Sequence, residues 1–147
     1  MVGTISWLLD TNILSEAMRP SPDGTVMANL ARYDGELAIP ALVWHELRFG
    51  WLRMPDGQRK DAIGQYVQEV VAALPVLPYD AAAARIHAEL RSTGERAGRR
   101  LPFVDEQIAA IAMTHGLTLV TRNTKDFAAI TGLRLENWFS KRSASAS

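Results

Sequence analysis

The sequence predicts an α/β fold, with a parallel sheet covered on both faces by helices. Three observations lead there. Short apolar runs alternate with stretches of helical period along the chain. Polar residues gather where two of those runs stop, at Asp10-Thr11-Asn12 and at Arg122-Asn123-Thr124. No repeat period, and no low-complexity segment apart from the tail, interrupts the alternation.

Ile5 to Leu9 is an apolar run broken only by Ser6, and it ends at Asp10. It reads as a buried strand that carries Asp10 at its C-terminal tip. Thr11 to Ala17 reads as a short helix, ended by Pro20 and Pro22. Gly24 to Tyr33 holds Val26, Met27, Leu30 and Ala31 at helical spacing, and Asp34-Gly35 is a turn. Leu37-Ala38-Ile39 is a short strand closed by Pro40, which opens a helix from Ala41 to about Met54. After the turn Pro55-Asp56-Gly57, a long helix runs to Leu74, where Pro75 stops it. Val76 to Tyr79 is a strand that Pro78 assigns to an edge. Asp80 caps an alanine-rich helix from Ala81 to about Thr93, and Gly94 to Arg100 is a basic loop. Asp105 begins a helix that Gly116 closes. Leu117 to Thr121 is a buried strand, Asp126 caps a turn from Phe127 to Thr131, and Leu133 to Trp138 is the last strand. Residues 1–139 form one domain, and the small, polar stretch 140–147 is expected to fray.

Composition narrows the function. A chain of 147 residues suits a single domain with a sizeable core. Sixteen basic and sixteen acidic residues leave no net charge, so any hold on nucleic acid needs a local basic patch. The absence of cysteine excludes disulfides, thiol catalysis and cysteine-ligated zinc, and fits a reducing cytoplasm. Neither a signal peptide nor an apolar run of membrane-spanning length is visible, so a cytoplasmic protein is expected.

Several residues carry chemistry. Asp10 has two readings, a helix cap or a functional carboxylate where open α/β sheets bind ligands. Glu46 falls four residues after Leu42 and three before Phe49, beside the apolar stripe Leu42, Val43, Leu47, Phe49, Gly50 and Met54. A charge there needs a cleft, a cation, or an arginine such as Arg48 or Arg53. His45 points away from Glu46 and has no second histidine at ligand spacing, so it reads as a surface or hydrogen-bonded residue. Asp105 lies at the mouth of a stripe made by Ile108, Ala109 and Ala112. Arg96, Arg99 and Arg100 form either a solvated connector or a phosphate-contacting rim. Convergence of Asp10, Glu46 and Asp105, with Asn123 from a second strand tip, would be unfavourable without a cation, because like charges raise one another's pKa. Mg2+ or Mn2+ suits such oxygen ligands and can drive phosphodiester hydrolysis. There is no Gly-rich phosphate loop, dinucleotide fingerprint or Gly-x-Ser-x-Gly elbow. An aspartyl-phosphate enzyme of the haloacid-dehalogenase kind would want an aspartate where Asn12 stands.

Four motifs in order give a family resemblance. Leu8-Leu9-Asp10-Thr11-Asn12-Ile13-Leu14-Ser15-Glu16 resembles the opening motif of PIN-domain ribonucleases, above all the VapC and FitB-like toxins of bacterial toxin–antitoxin pairs. Trp44-His45-Glu46-Leu47-Arg48-Phe49-Gly50 resembles their second motif. Asp105 to Ala112 resembles the third, and Val120 to Phe127 the fourth. The resemblance implies a three-layer α/β/α sandwich and Mg2+- or Mn2+-dependent RNA cleavage, held in check by a small cognate antitoxin. It implies that Asp10, Glu46 and Asp105 are the acidic metal site, and that Thr11 and Asn12 orient Asp10 or ordered water. Asn123 completes the catalytic set where many relatives carry a fourth acid. Its carbonyl can coordinate only weakly, which bears on a second metal. The resemblance also implies a homodimer, for which Trp44, Trp51 and Tyr66 offer apolar surface, with an antitoxin segment in a groove near the acids. DNA would be met only through the antitoxin. Arg96, Arg99, Arg100 and Arg122 are the candidate RNA contacts. A second reading keeps the fold but makes the chain a catalytically weak module that docks an antitoxin and helps it repress DNA.

Overall fold

The computed structural model describes residues 4–141. Its strands are β1 (Trp7–Leu9), β2 (Leu37–Pro40), β3 (Val76–Leu77), β4 (Thr118–Val120) and β5 (Leu135–Glu136). Its helices are α1 (Thr11–Ala17), α2 (Gly24–Arg32), α3 (Ala41–Leu52), α4 (Gln58–Glu69), α5 (Ala81–Arg96), α6 (Phe103–His115) and α7 (Thr124–Phe127). The strands form one sheet in the order β3-β2-β1-β4-β5, every neighbouring pair parallel. Helices flank this sheet, as the alternation of elements requires. The edge position read from Pro78 is where β3 lies.

Strand order reverses at β1. The chain lays β2 and β3 outward on one side, then crosses back to set β4 and β5 on the other. Such a switch point opens a crevice at the carboxyl ends of the two strands that flank it. Here those strands are β1 and β4, paired with Leu9 opposite Val120. Asp10 and Thr121 are the next residues on each.

Burial explains the elements. Leu8, Leu9, Ala38, Ile39, Leu119 and Val120 are wholly buried, because a parallel strand has both faces covered. In α6, Ile108 to Ala112 are all buried, so alanine lets this helix lie close against its neighbours. At the other end of β1, Trp7 packs against Tyr33 and Trp138 at ring-centroid distances of 4.8 and 5.4 Å.

Several boundaries differ from the sequence reading. Pro40 is the last residue of β2 and precedes α3 rather than lying in its first turn. The buried stripe of α3 is narrower than its apolar count, since Val43 and Leu47 are buried while Phe49 and Leu52 are exposed. The helix expected to reach Leu74 stops at Glu69, and a 3-10 turn, Val71–Ala73, carries the chain into β3. The adjacent β-branched Val70 and Val71 weaken the helix there, and Pro75 bars helical geometry at Leu74. The basic loop is partly helix, because α5 continues through Gly94 to Arg96. Gly98, at φ 70°, ends it: Gly98 N–H donates to Glu95 O and Arg99 N–H to Gly94 O, a Schellman closure. Gly116 closes α6 in the same left-handed conformation. Asp126 lies inside α7 and is not its cap; Asn123 holds the N-cap position without a side-chain bond. Ser140 is not frayed, since its N–H and hydroxyl donate to the Asp23 carboxylate. Residues 142–147 of the expected tail lie outside the described residues. No helix among the described residues is long and apolar enough to cross a membrane.

The aromatic residues proposed for an interface are half-buried. Trp44 and Tyr66 pack against the core, and Trp51 lies over Gly64 of α4. A Cβ on Gly64 would stand 2.3 Å from the Trp51 indole nitrogen, whereas one on Gly50 of α3 would meet nothing within 4 Å. Gly64→Ala should therefore destabilise the fold by about 1–2 kcal/mol despite the better helix former. Gly50→Ala should stabilise it by up to about 1 kcal/mol. Urea unfolding of both variants decides; equal shifts would show that α3 and α4 do not meet closely here.

Candidate functional site

The carboxyl ends of β1 and β4 open into a cleft of about 650 Å³. Asp10, Glu46, Asp105 and Asn123 all line it, with Thr11 and Asn12. The structure thus brings together the whole acidic set read from the sequence.

Asp10 is 8% exposed; it caps α1 and also lines the cleft. Its Oδ1 accepts the Thr11 N–H at 2.8 Å, capping α1. Its Oδ2 accepts the Thr121 hydroxyl at 2.9 Å. Its own N–H donates to Val120 O at 2.9 Å, which continues the sheet by one residue. Burial pushes the Asp10 pKa up, the bonds from Thr11 and Thr121 pull it down, and Glu46 adds to the rise.

Thr121, which sequence reasoning passed over, supports Asp10 from behind the cleft. It is fully buried. Its hydroxyl donates to Asp10 and lies within reach of the Asn123 N–H at 3.1 Å and the Asn12 side-chain amide at 3.4 Å, which fills its bonding capacity. The Asn12 side chain bonds to Thr121 and Arg122. It holds the loop after β4, with its amide on Thr121 and its Oδ1 accepting the Arg122 N–H at 3.1 Å.

Glu46 is exposed at the cleft wall, not buried on the stripe. The Thr11 hydroxyl donates to its Oε2. Arg48 packs over the Trp44 and Trp51 rings and Arg53 over Phe49, so the arginine pairing weighed for Glu46 does not form. His45 is exposed and stacks on Phe49.

Asp105 stands in the first turn of α6, two residues after its start. Its pKa is raised to about 6, by burial first and then by Asp10, Asp126 and Glu46. Asp126, read from sequence as a cap, is therefore a fourth charge acting on the site. The predicted arginines stand apart. Arg96, Arg99, Arg100 and Arg122 do not line the cleft. Arg99 donates to Ala129 O at 3.4 Å, and Arg122 lies over the Phe139 ring.

The donor set is all hard oxygen, and the pKa values of Asp10 and Asp105 are raised by burial first and by the neighbouring acids after it. Both suit a divalent cation such as Mg2+, which takes one or two carboxylates and completes its shell with water and phosphate. Among the described residues, no group of three acids or histidines is closed tightly enough to hold an ion unaided. A bound ion would therefore draw its remaining ligands from water or substrate.

The chain belongs to the PIN domain family, whose model matches residues 7–133. Relatives within it include proteins named as a ribonuclease and a toxin. It is similar to a VapC ribonuclease, Y4jK of Sinorhizobium fredii, at 37% identity over 83% of this chain and 90% of that one. It is also similar to toxin FitB of Neisseria gonorrhoeae, at 35% identity over 83% and 91%. Among solved structures, VapBC2 from Rickettsia felis bound to a DNA fragment from its promoter matches with a TM-score of 0.79 and 29% identity, over 91% of this chain and 99% of that one.

The Asp105 shift has a stability consequence with a definite sign. Its folded pKa lies above the ordinary 3.8, so between about pH 4 and 6 the folded state holds more protons and stability falls as pH rises. Above pH 6 the full cost is present. Asp105→Asn should thus stabilise the metal-free protein at pH 7.5 by about 1 kcal/mol, a figure reduced for partial solvent screening. At pH 3.5 the gain should vanish. Melting curves at the two pH values check this, and a destabilised variant at pH 7.5 would contradict it.

Proposed function

We propose that this chain is a Mg2+- or Mn2+-dependent endoribonuclease and the toxin of a toxin–antitoxin pair. One observation carries the reading. Asp10, Glu46 and Asp105, far apart in sequence, share one cleft at the strand-order switch point, with Asn123 beside them. The named relatives support the same activity class.

Asp10, Glu46 and Asp105 would hold the ion. When bound, it supplies Lewis-acid stabilisation of the scissile phosphate and lowers the pKa of water. Thr121 and the Thr11 N–H fix the Asp10 carboxylate, and the Thr11 hydroxyl fixes Glu46. Asn123 offers a neutral carbonyl where a fourth carboxylate would raise the charge further. Arg96, Arg99 and Arg100 lie outside the cleft and are assigned to RNA flanking the cut. Arg53, stacked on a residue of the cleft wall, is a nearer candidate.

An antitoxin is the proposed protein partner, and DNA is met through it, in keeping with the promoter-bound relative. A homodimer is proposed as well, which sedimentation reads directly. Its apolar surface is better sought at exposed Phe49, Leu52, Phe103 and Val104 than at Trp44, Trp51 and Tyr66.

RNA should be cleaved with Mg2+ or Mn2+ and spared with a chelator. Asp10→Asn should lose at least ~100-fold of the activity, more than partners of a ligand usually cost. A variant that cleaves as well as wild type would sink the assignment. Wild type that never cleaves, yet binds an antitoxin and represses DNA with it, would support the docking module instead. Replacing Arg96, Arg99 and Arg100 with alanine should flatten the salt dependence of RNA binding. An unchanged slope makes that segment a connector only.

A further inference from the structure

A second polar cluster, on the far side of Asp105, ties α5 to the start of α6. His87 and Glu106 are 3% and 4% exposed. His87 Nε2 stands 3.2 Å from Glu106 Oε1, and Arg91 Nη1 donates to that same oxygen at 3.1 Å. The Tyr79 hydroxyl lies 2.7 Å from His87 Nδ1. An ionised carboxylate only accepts, so Nε2 carries the proton in the His87–Glu106 bond. Phe103 closes the cluster. Its ring meets His87 edge-on at 4.6 Å, and the Arg91 guanidinium sits 5.1 Å from its centroid.

Phe103 and Glu106 both belong to the first turn of α6 and both are gripped from α5. Asp105 lies between them. That turn has little else to hold it: Pro102 occupies the N-cap position and makes no side-chain bond to the helix. It is also the turn under load, since Asp10, Asp126 and Glu46 all repel the Asp105 carboxylate. A buried carboxylate is a costly way to stabilise a core, and an apolar side chain of similar size often does as well.

We propose that Glu106, with His87 and Arg91, is a positioning device for Asp105. The cluster pins the uncapped first turn of α6 so that Asp105 stays at the cleft against the other acids. The functional half of this inference rests on the metal-dependent reading of the cleft. The mechanical half does not.

The test uses the full chain carrying Glu106→Gln. Amide hydrogen exchange at Glu106 and Gln107, whose N–H groups close the first turn, should quicken by ~10-fold or more, while residues 109–113 keep wild-type protection. Mn2+ binding, titrated without RNA, should weaken by about 10-fold. For RNA cleavage kcat should fall and KM should hold. If Glu106→Gln does not fold, Arg91→Ala carries the same measurements from a side chain that is 40% exposed. Arg91→Lys, which keeps the charge, should recover most of the Mn2+ affinity. Unchanged exchange at Glu106 and Gln107 overturns the proposal. Faster exchange with wild-type Mn2+ affinity also overturns it, and marks a core element only. Wild type that binds no Mn2+ defeats the metal-dependent reading instead, and the exchange comparison then decides the clamp alone.

Discussion

The bond between Thr121 and Asp10 across the β1–β4 seam is the contact on which the site depends. Parallel pairing sets Leu9 opposite Val120, so the next residue of each strand must face the other. A threonine there gives the aspartate a fixed donor at 2.9 Å. The same hydroxyl gathers the loop after β4 through Asn123 and Asn12. A one-residue slip in this register would turn every strand side chain to the opposite face and separate the pair. The buried runs of both strands make that slip prohibitive. Hydrophobic burial therefore sets the position of the Asp10 carboxylate.

The other acids are held by separate means. Glu46 rides on α3 and is tied to the first residue of α1 by the Thr11 hydroxyl. Asp105 rides on α6, whose beginning is tied to α5. Three scaffolds thus bring like charges into one cleft, and each carries part of the repulsion. Burial first, and then the charges of Asp10, Asp126 and Glu46, push the Asp105 pKa up to about 6. Exchange of that repulsion for attraction to a cation stabilises whichever state binds the ion.

Much of this was legible in the sequence. The apolar run ending at Asp10 specified a buried strand with a polar tip, and the family motifs named Asp10, Glu46, Asp105 and Asn123, which share the cleft. Periodicity could not show that Thr121 is the hub, because a threonine at a strand end is ordinary and its role depends on a neighbour 111 residues away. Glu106 was hidden for a similar reason. An acid in a first helical turn reads as a complement to the helix dipole, and only the packing of α5 shows it to be buried. Gly94 misled in the other direction. It looked like the start of a loop, but the left-handed stop is at Gly98. Phe49 shows that apolar spacing on α3 overstated its buried face.

Separate anchors carry a further consequence for energetics. The Thr121 bond to Asp10 and the Arg91 bond to Glu106 share no partner and lie on different elements. Their losses should add in folding free energy, as independent sites do. In activity they should not add under the proposed function, because Asp10 and the Asp105 that Glu106 positions line one cleft and the first displacement already disables it. Additive stability with non-additive activity is the signature of a site assembled by several independent supports. A single continuous network would couple the two losses in stability as well.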